Sequence, residues 1–302
     1  MMSREEGAAC ADVRALSRAW GCAPLHELDR RAMPPRLARA TRAERIHVLG
    51  ELPAVHAPAI GIVGTRRIPV ASMERLSAFV RTIVDAAGCV VVSGGAFGVD
   101  VMAHEAAIAV GAPTVVVLAS GLLRAGPRAN VPLFRRVLEE GGALVSDKPH
   151  GRRPFPSDFL ERNALVASMS DALVVVAAPL DSGAMRTARD ARRFGCPVLA
   201  VPGPPWDETF AGNHELLRRG ARICASPEDV LLALGRPTIP GLDGVASVAP
   251  EAAEAGERDG GVLGRLRAAL AAGQTLDAAA RALGLSAAEA QTLALELELG
   301  AG

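Results

Sequence analysis

Three groups of residues in this chain carry chemistry suited to a polyanion. Arg66 and Arg67 follow the apolar run AIGIVG (59–64) after Thr65, Phe159 and Arg162 lie in SDFLERNALVASMS (157–170), and Arg186 and Arg189 lie in DSGAMRTARDAR (181–192). Guanidinium groups grip phosphate oxygens two at a time, glycine lets backbone approach a ligand closely, and an aromatic ring stacks on any base. Such stacking contributes roughly 1–3 kcal/mol per base and suits single strands. Aromatic residues make up only 3% of the chain, so a phenylalanine set among polar neighbours stands out. The competing expectation is that Phe159 packs beneath its own helix.

Other chemistries find less support. His104 shares a predicted helix with Asp100 in DVMAHEAAI (100–108), the arrangement of a base and its orienter, but no nucleophile or metal partner accompanies it, so packing or capping is expected. The phosphate loop G-x-x-x-x-G-K-[ST] does not occur, and GGAFG (94–98) is not the dinucleotide fingerprint G-x-G-x-x-G. The five cysteines, Cys10, Cys22, Cys89, Cys196 and Cys224, are odd in number and contain no C-x-x-C pair, which indicates neither a disulfide framework nor a zinc site. Cys89, Cys196 and Cys224 read as small core residues. The expectation is therefore a protein that is not an enzyme, with no cofactor and no metal. With 33 basic and 33 acidic residues the net charge is zero, which argues against wholesale coating of a polyanion and for a local site.

The elements that would position these residues follow from hydrophobic patterning. Nearly continuous apolar runs at 59–64, 89–94, 113–118, 143–146, 172–177, 197–201 and 221–224 predict strands buried on both faces. Amphipathic segments at 71–87, 100–110, 130–140, 158–169, 184–194 and 212–219 alternate with them. The fold class is α/β, an extended Rossmann-like, doubly wound and mainly parallel sheet, followed by a small C-terminal three-helix domain. Ligands of such sheets bind beyond the carboxyl ends of the strands. Those positions read Gly64-Thr65-Arg66-Arg67, Ser93-Gly94-Gly95, Ser120-Gly121, Ser146-Asp147, Asp181-Ser182-Gly183 and Pro202-Gly203.

The predicted domains are a helical or extended lead-in (1–58), the Rossmann-like domain (59–235), a flexible linker (236–261) and a helical tail resembling a truncated winged helix (262–302). Ser286 and Glu289 form a capping box in the tail. Its third helix offers Glu289, Glu296 and Glu298 and no cation, which favours structural or protein contacts over DNA reading. No apolar stretch approaches the roughly 18 residues of a membrane span, and the acidic start lacks the form of a secretory signal. A cytoplasmic location is expected.

Read in order, several blocks resemble the DNA-processing protein family (DprA/Smf-like). They are GIVGTR (61–66), VVSGGAFGVDVMAHEAAI (91–108), VLASGLLRAGPRAN (117–130), FLERNALVASMSDALVVVAAPLDSGAMRTA (159–188) and VPGPPWDETFAGNHELLRRGA (201–221). The resemblance implies a non-catalytic Rossmann-like protein that binds single-stranded DNA, forms a homodimer and loads a RecA-type recombinase in natural transformation. It places Arg66 on phosphate, the Gly64-Thr65 and Ser182-Gly183 turns near the backbone, and Phe159, Arg162 and Asn163 in the pocket; together with the loop reading, the expected DNA-binding set is Gly64, Thr65, Arg66, Arg67, Ser93, Gly94, Phe159, Arg162, Asn163, Ser182, Gly183, Arg186, Thr187 and Asn213.

Departures from the family pattern reduce the cationic character of that groove. Phe97 stands where many members carry arginine, and Glu161 and Ala164 flank the Arg162-Asn163 pair where basic residues are common. Two alternatives follow: a nucleotide-binding or nucleoside-monophosphate-hydrolysing enzyme on a related fold, and a scaffold that retains partner surfaces without DNA binding. Against the first, PLDSGAMRTA (179–188) lacks the paired glycines and the glutamate that phosphoribohydrolases resemble there.

Overall fold

Strand residues with both faces apolar organise the computed structural model, which describes residues 15–21, 23–52, 58–68 and 70–236 together with positions 270, 278, 282 and 283. The chain divides into two compact units, residues 1–247 and 248–302. The expected linker and tail, including Ser286 and Glu289, lie almost wholly outside the described residues.

In the first unit the strands β1 (Leu25–Asp29), β2 (Arg45–Gly50), β3 (Ala59–Val63), β4 (Val90–Ser93), β5 (Thr114–Val117), β6 (Ala143–Ser146), β7 (Ala172–Val175), β8 (Val198–Ala200) and β9 (Arg222–Ile223) form one sheet. Their order is β1-β2-β6-β5-β4-β3-β7-β8-β9. From β6 to β9 neighbours are parallel, whereas β1–β2 and β2–β6 are antiparallel. All seven strands expected from the apolar runs are present.

The lead-in differs from expectation. Residues 25–50 supply two strands of the main sheet rather than a preceding segment, with Val48 opposite Val145 and Leu49 opposite Leu144. Too short to build a core of their own, they bury Ile46, Val48 and Leu49 against the parallel strands instead.

Helices cover both faces: α1 (Pro35–Ala40), α2 (Val70–Ala87), α3 (Val99–Ala109), α4 (Val131–Glu139), α5 (Pro156–Ser168), α6 (Gly183–Arg193), α7 (Ala211–Arg218) and α8 (Pro227–Ala233). Strand alternation divides the core. Val63, Val90, Val92, Val115, Val117, Leu173 and Val175 pack with residues of α1, α5 and α6 on one face. Ile60, Ile62, Val91, Val174 and Val176 pack with residues of α2, α3 and α8 on the other. Among the described residues no helix is long and apolar enough to cross a membrane.

The path of the chain locates the ligand crevice. It steps outward through β3, β4, β5 and β6, then returns to place β7 on the other side of β3. Connections therefore diverge between β3 and β7, the switch point at which such sheets open a crevice beyond their carboxyl ends.

Candidate nucleic-acid interface

A cleft of about 720 Å³ occupies that switch point. Gly64 to Arg67 after β3 form one wall and Pro179 with Asp181 to Ala184 after β7 form the other, while α5 contributes Phe159, Leu160, Arg162 and Asn163. Two helix N-termini help frame it. Ser182 caps α6, its hydroxyl accepting from Met185 N–H at 3.4 Å. At α3, Val99 N–H donates to Thr65 C=O at 3.2 Å, which ties the helix start to the turn after β3. Gly98 has φ of 78°, and a Cβ there would lie 2.3 Å from Thr65 O, so this junction requires glycine on both counts. Helix starts of this kind favour anions because unpaired N–H groups and the helix dipole point toward them.

The cations in and around the cleft have different fates. The Arg66 guanidinium lies 5.6 Å from the centre of the Phe159 ring, within cation–π range. Both Arg66 and Arg67 are exposed and have no acidic partner among the described residues. Arg162 instead is buried and pairs with Asp100, Nη1 to Oδ2 at 3.4 Å. Burial holds the Arg162 pKa below its ordinary value, opposed by the Asp100 charge. The same desolvation pushes Asp100 upward, opposed by Arg162 and by the Ala96 N–H, which donates to Asp100 at 3.1 Å. Lys148 is held away from the cleft by Asp147, Asp158 and Glu161, and Arg152 also pairs with Asp158, at 3.1 Å.

A second, mostly apolar cavity of about 240 Å³ adjoins the same two residues, Arg66 and Phe159. Phe97, Ala119, Pro127 and Pro154 also line it. Phe97, read in the sequence only as the loss of a cation, is half-exposed and adds a second ring to this wall. Its participation follows from the turn between β4 and α3, and residue type alone did not signal it.

A profile of DNA recombination-mediator protein A matches residues 28–235. The chain belongs to this family. Protein Smf of Escherichia coli is 35% identical over 219 residues, 71% of this chain and 58% of its own length. DNA processing protein DprA of Bacillus subtilis is 34% identical over 171 residues, 57% of each chain. The chain thus spans little more than half of these relatives. The structure of DNA processing protein A from Streptococcus pneumoniae superposes with a TM-score of 0.61 at 27% identity, covering 73% of this chain and 77% of the other. That of Helicobacter pylori, described for its unique single-stranded DNA binding mode, gives 0.61 at 26% identity, covering 70% and 96%.

Within this recombination-mediator fold, Gly64, Thr65, Arg66, Arg67, Phe159, Arg162, Asn163, Ser182, Gly183 and Thr187 all line the larger cleft. Asn163 Nδ2 donates to Gly183 C=O at 3.4 Å, linking α5 to the start of α6. Gly94 borders the smaller cavity for a steric reason: a Cβ there would sit 0.9 Å from Arg162 Nη1. Ser93 is buried and donates to Ile62 C=O at 2.6 Å, so it ties β4 to β3 rather than facing a ligand. Asn213 is also buried, its Nδ2 within 2.9–3.2 Å of the carbonyls of Val175, Val176 and Val201. It fastens the ends of β7 and β8 to α7. Arg186 is exposed on α6 outside both cavities.

The remaining sequence candidates are structural. His104 is fully buried with Nδ1 2.7 Å from Thr114 Oγ1, and burial, then Arg162, depresses its pKa to about 3. Burial pushes the Cys89, Cys196 and Cys224 thiols up to about 12, leaving them as packing groups rather than nucleophiles.

Proposed function

We propose that this chain binds single-stranded DNA at the switch-point cleft, without sequence preference, and acts as a non-catalytic mediator that delivers the strand to a RecA-type recombinase during DNA uptake. The observation that carries the reading is the pair of exposed arginines, Arg66 and Arg67, with Arg66 set over Phe159 at the mouth of the cleft. Phosphates run along the two arginines and the N-termini of α3 and α6. An unstacked base enters the smaller cavity between Phe97 and Phe159, which duplex DNA cannot supply without unpairing. The Helicobacter pylori relative's single-stranded DNA binding mode supports this assignment.

Binding on a chain of zero net charge is confined to this edge, and a homodimer would lengthen the track for one strand. The proposal places the protein in the cytoplasm, where the strand and recombinase meet. Competition between a labelled poly-dT strand and a duplex of equal length, read by fluorescence anisotropy, tests it. Preference for the single strand is expected. Equal affinity, or no binding, contradicts the assignment and leaves the scaffold reading.

A further inference from the structure

On the opposite side of β6 from its parallel neighbour, two imidazoles and a carboxylate converge. Glu27 on β1 and His47 on β2 are direct cross-strand partners, with His47 Nδ1 3.2 Å from Glu27 Oε1. His150, in the turn after β6, brings its ring to 4.3 Å from that of His47, centroid to centroid. One ligand atom from each of the three residues lies within 4.8 Å of the others. His150 is only 6% exposed, yet its Nδ1 has no hydrogen-bond partner. That buried ring nitrogen, beside another imidazole and a carboxylate, therefore has no partner in the fold for its lone pair or its proton.

We propose that Glu27, His47 and His150 bind one divalent transition-metal ion of the zinc or cobalt class, clipping the β1–β2 hairpin to the turn after β6. Ligand atoms around a tetrahedral ion with bonds of about 2.0–2.2 Å stand roughly 3.4 Å apart, so the His47–Glu27 separation already fits and the His150 ring needs only a small approach. Two imidazoles and one carboxylate select borderline ions over magnesium or calcium, which prefer oxygen. The ion takes the place of the hydrogen between His47 and Glu27, and a neutral His47 frees Nδ1 for it by carrying its proton on Nε2, with no net proton release.

The outer contacts orient the set. Glu27 Oε2 accepts from Arg45 Nη1 at 2.8 Å, leaving Oε1 for the metal, and Arg45 is held in turn by Asp29 at 2.9 Å. With one cation between two carboxylates, this cluster retains one negative charge. Lys148, two residues before His150, is occupied by Asp147, Asp158 and Glu161. The clip joins the hairpin to the turn whose Pro149 and His150 carbonyls accept from Arg152 and Leu123 N–H groups, and so to the Arg152–Asp158 contact at the start of α5.

The test is titration of the chelator-stripped full chain with cobalt(II), read by its visible d–d absorption and followed by zinc competition. One ion per chain is expected, without the sulfur-to-metal charge-transfer band that cysteine binding would add. His47→Ala and His150→Ala should each weaken binding at least about tenfold, whereas His26→Ala, on the other face of β1, should leave it unchanged. If either histidine variant fails to fold by circular dichroism, Glu27→Gln, an exposed change, must weaken binding similarly. No stoichiometric spectrum, a thiolate band, or equal affinity in the folded variants overturns the proposal.

Discussion

Arg162 of α5 and Asp100 of α3 form an ion pair with both side chains more than nine-tenths buried, Nη1 to Oδ2 at 3.4 Å, and Arg162 Nε has no partner at all. The pair ties the helix bearing Phe159 to the turn after β4. It also commits one arginine of the family motif to an acidic partner, while Arg66 and Arg67 have none among the described residues. Asp100→Ala should therefore strand a buried guanidinium. Urea denaturation is expected to show a loss of about 3–5 kcal/mol. A loss below about 1 kcal/mol would mean that water already compensates Arg162.

Gly94 makes room for that guanidinium, and Gly94→Ala should displace it. The expected result is destabilisation of about 1–3 kcal/mol, as for other overpacked sites, together with altered single-strand affinity because Arg162 must move within the cleft. Wild-type unfolding midpoint and affinity in the Gly94→Ala protein would show that Arg162 has an equally good second position.

Phe159 is 36% exposed and lies under Arg66, so its ring can be removed with little disturbance to the core. Phe159→Ala should weaken poly-dT binding by about 1–3 kcal/mol, roughly 5- to 150-fold, with an unfolding midpoint close to wild type. Phe159→Trp should retain most of the affinity. Reduced stability with unchanged affinity would assign Phe159 to packing instead.

Acid should destabilise the fold partly through His104. Its Nδ1–H donates to Thr114 Oγ1, since the Thr114 hydroxyl hydrogen is committed to Val91 C=O at 3.0 Å. In the folded state its pKa is depressed to about 3 from the usual 6.5, so between those values the unfolded chain binds a proton that the folded chain does not. Stability then rises with pH across that window and falls on acidification, with a slope from this group of up to about 1.4 kcal/mol per pH unit. Denaturant titrations from pH 7 to pH 4 should show the decline, and His104→Asn, which keeps a donor near Thr114, should flatten it. An unchanged slope in that variant would shift the effect to other groups.

Six of the seven expected strands were legible because parallel strands covered on both faces read as unbroken apolar runs, as in VVVS (90–93) and ALVV (172–175), whereas β9 (Arg222–Ile223) is an exposed edge strand beside the buried Cys224. β1 and β2 were not, since LHELD and RIHVLG interleave charged and histidine residues at the sheet margin and resemble a connector. The cleft was legible through the polar residues that follow β3 and β7. Its electrostatics were not. Asp100 is 62 residues from Arg162, and only the fold shows that this cation is neutralised while Arg66 is free. Ser93 Oγ and Asn213 Nδ2 carry family motif positions yet donate to backbone carbonyls, a role that residue type and spacing do not distinguish from ligand contact.

The central claim is that Arg66 and Arg67 grip the phosphates of a single strand. Poly-dT affinity measured across a salt series tests it most directly. Log affinity should fall with log salt by about 0.7 per phosphate contact, and Arg66→Ala and Arg67→Ala should each lower the affinity and shallow the slope by about that amount. A slope unchanged in both variants would contradict the account.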